Sequence, residues 1–262
     1  MKTLSDSDIF HVIFTRFNVP SGGKEKKIRA KENWLDYRFD LFDRYCFPSI
    51  EAQVDQNFVW LVFFDNETPE KYLEIIKKYE DNYTNFKPIY VDDWTSEIII
   101  NAIKKFMPDS KNWLLTTRLD NDDALNMEFT KTLRATSFDG RQYINFTNGF
   151  TFSNGYAYTH KDMSNAFLSL VEPVGDIHGV WEFPHPEVIQ NFDVTQLDMK
   201  YAWLQLIHGG NVSNKVRGNI APPHMWKANF ESLKKIEIKN TSTTSIWLDK
   251  MINSPCRKTR DV

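Results

Sequence analysis

The segment Trp113-Leu114-Leu115-Thr116-Thr117-Arg118-Leu119-Asp120-Asn121-Asp122-Asp123-Ala124-Leu125 constrains this chain more than any other stretch. An apolar run interrupted only by threonines reads as a buried strand, because such residues fit a pleated surface. It stops at three carboxylates within four residues, Asp120, Asp122 and Asp123. In an α/β sheet, ligands bind outside the carboxyl ends of the strands. Oxygen donors this close together suit a hard divalent cation, Mg²⁺ or Mn²⁺, and such an ion neutralises a diphosphate. A local reading competes: Asp122 or Asp123 caps a helix expected over residues 126–137. One aspartate meets that need, and three side by side repel one another unless positive charge lies among them. An EF-hand loop is excluded, since counting from Asp120 puts Leu125 at the sixth position and Lys131 at the twelfth.

The chain before this segment alternates strand and helix. Ile9-Phe10-His11-Val12-Ile13-Phe14 reads as a first strand, with Arg16 at its exit. A helix over residues 32–45 carries Trp34, Tyr37, Leu41, Phe42 and Tyr45 at helical spacing, and a second short helix starts at Pro48. Residues 58–64 form a continuous apolar strand ending at Asp65, followed by a helix over 69–79. A third strand over 86–91 ends at Asp92 and Asp93, and a helix over 95–106 leads into the Trp113 strand. This alternation predicts an α/β fold: a mixed, mainly parallel central sheet with helices on both faces. Arg16, Asp65, Asp92 and Asp120 then stand at successive strand ends, where a nucleotide site needs them. No Gly-x-Gly-x-x-Gly follows the first strand, and the Ser21–Lys27 loop has no Walker spacing.

Beyond residue 137 the pattern becomes β-rich. Residues 142–152 and 156–160 read as a hairpin about Ser153-Asn154-Gly155, with another strand over 166–171. A loop over 175–186 holds Asp176, His178, Trp181, Glu182 and His185, at spacings that fit no zinc motif. Asp198 opens an expected helix over 199–208, closed by Gly209-Gly210 with His208 in its last turn. The tail 229–262 reads as a cover, with an amphipathic helix over 245–252. One domain is expected over 1–262: an alternating α/β half at 9–125, a β-rich half at 126–228 and the C-terminal cover at 229–262.

Composition narrows the partners. A net charge of −3 and a pI near 6.1 mark neither a nucleic-acid surface nor one for anionic membranes. The longest apolar run, residues 58–64, is too short to span a bilayer, and residues 1–8 do not read as a signal peptide. Two cysteines without a Cys-x-x-Cys pair fit a reducing, cytoplasmic setting. Aromatic residues at 15% supply rings for stacking on sugars or bases as well as for the core.

These residues resemble a known group. Pro48-Ser49-Ile50-Glu51-Ala52-Gln53 followed by a strand to Asp65 is similar to the opening of GT-A glycosyltransferases, and Leu119–Asp123 to their D-x-D segment. Thr15-Arg16-Phe17-Asn18, Thr117–Asp123, Ile144-Asn145-Phe146 with Gly149, and Leu206-Ile207-His208-Gly209-Gly210-Asn211 together resemble a rhamnosyltransferase family over about residues 9–220. The resemblance implies a GT-A (Rossmann-like) fold with a small β-rich elaboration on the acceptor side. It also implies a nucleotide-diphosphate sugar donor, Mn²⁺ or Mg²⁺, a glycan or other hydroxyl acceptor, and a place in polysaccharide biosynthesis. By motif match Asp65 contacts the base, Asp120 the ribose side, and Asp122 the metal and diphosphate. Arg16 and Arg118 join the nucleotide-sugar site, and His208 completes the metal shell. Asp198 matches the general base, although Leu197 replaces the glutamate that precedes it in the motif, so Glu172, Asp176 and His185 stay open as alternatives. A different class, a non-catalytic carbohydrate- or nucleotide-binding protein on a degenerate GT-A fold, also fits these features. A sugar-nucleotide pyrophosphorylase fits less well, because Ser21–Lys27 is a poor version of its loop.

Overall fold

The computed structural model describes residues 2–20, 29, 32–208, 216, 218–234 and 236. Its centre is a seven-stranded sheet. In chain order its first four strands are β1 (Ile9–Arg16), β2 (Val59–Asp65), β3 (Phe86–Val91) and β4 (Trp113–Arg118). All four are parallel, in the spatial order β3-β2-β1-β4. The chain winds outward from β1 to β3 and then returns to the other side of β1. That reversal makes the β1/β4 boundary a topological switch point, where a ligand crevice opens. Arg16 and Arg118 stand at its two sides, on the last residues of β1 and β4.

Helices cover both faces, as the alternation predicts. Successive residues of a strand point to opposite faces. Ile13, Trp60, Val62, Phe64 and Leu115 therefore pack with Phe39, Phe42, Ile50, Ile76 and Tyr79 on one side. Phe14, Leu61, Phe63 and Leu114 pack with Ile99, Ala102 and Ile103 on the other. The first face is built by α1 (Trp34–Leu41), α2 (Phe47–Glu51) and α3 (Glu70–Asn82), the second by α4 (Ser96–Phe106). The two helices expected at 32–45 and from 48 are one continuous path, joined by a π-helical turn over Phe42–Cys46. Pro48 has no N–H to donate, and the wider turn, in which the Phe47 N–H reaches the Phe42 carbonyl, accommodates it.

The second half departs further from expectation. The helix expected at 126–137 shrinks to α5 (Phe129–Arg134), because β5 (Ala124–Leu125) goes into a second sheet. Residues 142–152 divide into β6 (Gln142–Phe146), which joins the main sheet, and β7 (Asn148–Ser153), which does not. The hairpin from β7 to β8 (Tyr156–Lys161) is present, with Asn154 and Gly155 both at positive φ (51° and 83°), as a tight right-twisted connection requires. Strand β9 (Ser169–Pro173) runs antiparallel between β4 and β6. Sequence patterning does not reveal α6 (His185–Asn191) or β10 (Val194–Leu197), which pairs parallel to β6 at the sheet edge.

The helix expected at 199–208 is absent. In its place β11 (Trp203–Leu206) lies between β5 and β7. Two hydrogen-bonded neighbours, and burial of Trp203 against Phe167 and over Gly149, outweigh the helical spacing of its apolar residues. A side chain at Gly149 would place its Cβ 2.2 Å from the Trp203 ring, so the indole takes the space a side chain would need. The second sheet runs β12-β8-β7-β11-β5, with β12 at Ile220–Ala221, and packs Phe150, Phe152 and Leu204 against Leu41, Tyr45, Trp226 and Phe230. The result is the expected α/β architecture, a mixed, mainly parallel central sheet with helices on both faces, and a β-rich elaboration. No described helix is long and apolar enough to cross a membrane. The Ser21–Lys27 loop, Gly209-Gly210-Asn211 and the 245–252 helix lie outside the described residues.

Candidate active site

Strand β4 delivers Asp120, Asp122 and Asp123 to the crevice, and two other elements meet them there. Helix α1 brings Arg38, whose Nη1 donates to Asp122 Oδ2 at 2.9 Å and whose Nη2 donates to Asn121 Oδ1. The end of β11 brings His208, whose Nε2 lies 2.8 Å from the same Asp122 oxygen. Burial raises the Asp122 carboxyl, but Arg38 and His208 outweigh it, and the net effect holds the group below the usual carboxylate range. Asp123 goes the other way. Burial, then the charges of Asp122 and Asp120, push its carboxyl well above that range. Its Oδ1 accepts the Leu206 backbone N–H at 2.8 Å, which ties β4 to β11. Neither aspartate caps α5, whose first residues take no side-chain cap from them.

The second group surrounds the strand-end arginines. The Arg118 guanidinium carbon lies 3.6 Å from the centre of the Trp181 ring, and that of Arg16 lies 5.2 Å from Trp181 and 5.3 Å from Trp94. Cations over aromatic faces are held in place by the ring quadrupole. Trp181 Nε1 is buried and bonds to no described residue. Arg118 also lies 3.9 Å from Asp120, whose side chain is one-third exposed at 34%. His185, at the first turn of α6, is near enough to Arg118 and Asp120 for their charges to act on it.

Asp65 ends β2 and is held by Arg29 Nη2 at 3.1 Å, while its backbone N–H donates to Asn18 Oδ1. The structure therefore gathers Arg16, Asp65, Arg118, Asp120, Asp122 and His208 along the carboxyl edge of the parallel strands. Asp198 is on that edge too, just after β10. It lies three strands from β4, roughly 14 Å at about 4.8 Å per strand. It accepts a hydrogen bond from Asn148 and opens no helix. Of the other base candidates, Glu172 is buried within β9 and accepts the backbone N–H groups of His178 and Gly179, and Asp176 pairs with Arg141. Arg38 and Trp181 join the site without any sequence signal for it. Arg38 reads as an ordinary helical arginine beside an aromatic stripe, and only the docking of α1 beside Asp122 distinguishes it.

Among the described residues no three His, Cys, Asp or Glu side chains are arranged to hold a metal ion. Two donors do converge, since Asp122 Oδ2 and His208 Nε2 are 2.8 Å apart. The contact is a hydrogen bond, and the same Asp122 oxygen accepts from Arg38 at 2.9 Å, so the pair sets one oxygen and one nitrogen donor side by side without forming a metal shell. Mg²⁺ takes few protein ligands and completes its shell with substrate phosphates and water.

Several solved structures are similar to this chain over part or most of its length. One, S. aureus TarS 1-349 in complex with UDP-GlcNAc, has 12% identity and a TM-score of 0.48, over 79% of this chain and 62% of that one. Another, the inositol-1-phosphate CTP transferase from T. maritima, has 10% identity and a TM-score of 0.42, over 89% of this chain and 98% of that one. A third, a "putative nucleotide-diphospho-sugar transferase" from Desulfovibrio desulfuricans G20, has 11% identity and a TM-score of 0.40, over 94% and 96%. The chain thus covers about three-fifths of the first, 62% of its length. No curated protein matches the sequence. A family model described as "Putative rhamnosyl transferase" matches residues 11–220, four-fifths of the chain, and the chain belongs to that family.

Proposed function

We propose that this chain transfers a sugar from a nucleotide-diphosphate donor to an acceptor hydroxyl, with a divalent metal and with inversion at the anomeric carbon. The convergence of Arg38, Asp122 and His208 beside two arginines at a topological switch point carries the reading. Departure of a nucleoside diphosphate builds negative charge on the leaving oxygens. Asp122 and His208 would hold Mn²⁺ or Mg²⁺, which as a Lewis acid offsets that charge. Arg16 and Arg118, fixed against Trp94 and Trp181, present guanidinium groups suited to phosphate oxygens. Asp65 and Asp120 serve the nucleoside side as acceptors at strand ends. The family description makes a rhamnose nucleotide the first donor to test, and a cytoplasmic setting suits a chain whose Cys46 is a buried free thiol.

A second reading, a binding protein without turnover, has one observation in its favour: Arg38 already neutralises Asp122. One experiment separates the two. Thermal melts with UDP, GDP, dTDP and CDP, each with and without Mn²⁺, identify the nucleotide through its mass-action stabilisation. Release of that nucleotide from the matching sugar donor is then followed over time. Metal-dependent stabilisation with turnover supports transfer, and stabilisation with no donor consumed sinks it in favour of binding.

A further inference from the structure

We infer that His185, and not Asp198, is the general base that takes the proton from the attacking hydroxyl. This rests on the proposed transfer reaction and concerns which side chain serves it.

The geometry around His185 fixes one tautomer. Its Nδ1 is 2.5 Å from the backbone carbonyl oxygen of Ser164, which can only accept, so Nδ1 carries the hydrogen. Ser164 Oγ donates back to the His185 carbonyl at 2.6 Å, so the two segments are joined twice. The Ser164 loop is itself held: its N–H donates to Asp162 Oδ1 at 2.8 Å, and the next residue, Asn165, donates to the Phe146 carbonyl. Nε2 is therefore the nitrogen with the lone pair, and it hydrogen-bonds no described residue. An imidazole held by a carbonyl at one nitrogen and basic at the other is arranged to accept a proton.

Its surroundings suit the task. Burial, followed by the Arg118 charge, lowers the His185 pKa and keeps the ring neutral near pH 7, while Asp120 and Asp162 favour the imidazolium once it forms. Those three charged groups come from the end of β4, the Asp120 turn and the 162–167 loop. Asp198 lies three strands from β4, in a cluster with Asn148 and Lys200, apart from Arg118 and Asp120.

In the step, the acceptor oxygen bonds to the anomeric carbon as the bond from that carbon to the diphosphate oxygen breaks. The bonding pair leaves with the diphosphate. The hydroxyl proton passes to His185 Nε2, giving imidazolium, glycoside and nucleoside diphosphate.

The test follows nucleotide release from a panel of UDP-, GDP- and dTDP-sugars that includes a rhamnose donor, with Mn²⁺ and with water and mixed oligosaccharides as acceptors. For His185→Ala we expect kcat to fall about 10²- to 10⁴-fold. Donor KM should stay within about twofold, and added imidazole should restore part of the rate. The wild-type pH profile should carry an acid limb below the ordinary histidine value of about 6.5, absent from the variant. His185→Gln retains an N–H for Ser164 but no basic nitrogen, so it should melt like the wild type and lose the same activity. Variants that keep wild-type kcat overturn the assignment, as does an acid limb that persists without His185. If the wild type melts cooperatively, binds nucleotide and releases none from any donor, the transfer reading itself falls and the base falls with it. Wild-type turnover beside a fully active His185→Ala sinks the base alone.

Discussion

The two ends of β11 show opposite electrostatic designs. At its carboxyl end, His208 meets Asp122, and the Asp122 carboxylate is held within 3 Å by both His208 and Arg38. At its amino end, a cavity of about 600 Å³ is lined by Asn148, Thr159, Lys161, Asp198, Lys200 and Tyr201. His208 is seven positions after Tyr201, at most roughly 23 Å away at about 3.3 Å per residue. The crevice end is preorganised: its dipoles and charges are set before a ligand arrives, which favours stabilising a transition state. The cavity end offers spaced polar groups and an aromatic ring, which under the proposed transfer would sort hydroxyl-bearing acceptors. Tyr201 holds a left-handed backbone (φ 60°) there while its ring stacks on Phe150 at 4.1 Å. Such backbone strain persists only where packing enforces it.

The largest effect that would sharpen this contrast is expected at the crevice. Asp122→Ala leaves the half-buried Arg38 without its carboxylate, and removing the buried member of such a pair costs about 2 to 3 kcal/mol. Urea unfolding should show that loss, and nucleotide-and-Mn²⁺ stabilisation should vanish with it. A variant as stable as the wild type would mean that Arg38 finds solvent, and the preorganised description would fail.

Next comes a pH effect in the sheet beneath the crevice. His11 on β1 is buried against Thr117 Oγ1 at 3.0 Å. Burial, then the Arg134 charge, lowers its pKa to about 3. The unfolded chain takes up the proton near pH 6.5, and the folded chain resists until about 3. The stability that neutral His11 provides is thus full above about 6.5 and lost as pH falls, by up to about 1.4 kcal/mol per pH unit. Unfolding at pH 7 and at pH 4.5 should separate wild type from His11→Gln by about 2 kcal/mol in their pH dependence. Parallel curves would show that acid sensitivity comes from the aspartates instead.

A smaller effect is expected at Trp181. Trp181→Ala removes the ring under Arg118 and beside Arg16, worth about 1 kcal/mol of positioning, so donor KM should rise about fivefold to tenfold with kcat less affected. An equal fall in kcat alone would place the arginines at the transition state only.

The same contrast explains how much of the molecule is legible in its sequence. Parallel strands carry their own signals: most are apolar runs, and each runs into a charged residue at its end, so the strand order alone places Arg16, Asp65 and Asp120 on one edge. The second half depends on pairing that is not local. Residues 203–206 have apolar residues that suit a helix, yet they become a strand because β5 and β7 are there to bond on both sides. The short helix at His185 reads as loop because Pro184 and Pro186 flank its first residue, although proline is tolerated in a first turn. Arg38 and Trp181 carry no local mark of function, since their roles come from what docks beside them.

The smallest effect expected, and the one most able to break the comparison, is at Asp198. Its carboxylate accepts from Asn148 and stands near Lys200 at the cavity mouth, so Asp198→Asn keeps shape and hydrogen bonding while removing one charge. If the cavity sorts acceptors, donor hydrolysis in water should hardly change. Transfer to oligosaccharides should show an acceptor KM raised about threefold to tenfold, equivalent to about 1 kcal/mol of binding. Stability should stay within about 0.5 kcal/mol, as for most exposed sites. A fall of 10²-fold or more in both hydrolysis and transfer would instead make Asp198 a group that acts on the reacting hydroxyl. The chemistry would then belong to the cavity end of β11, and the preorganised end would hold only the donor.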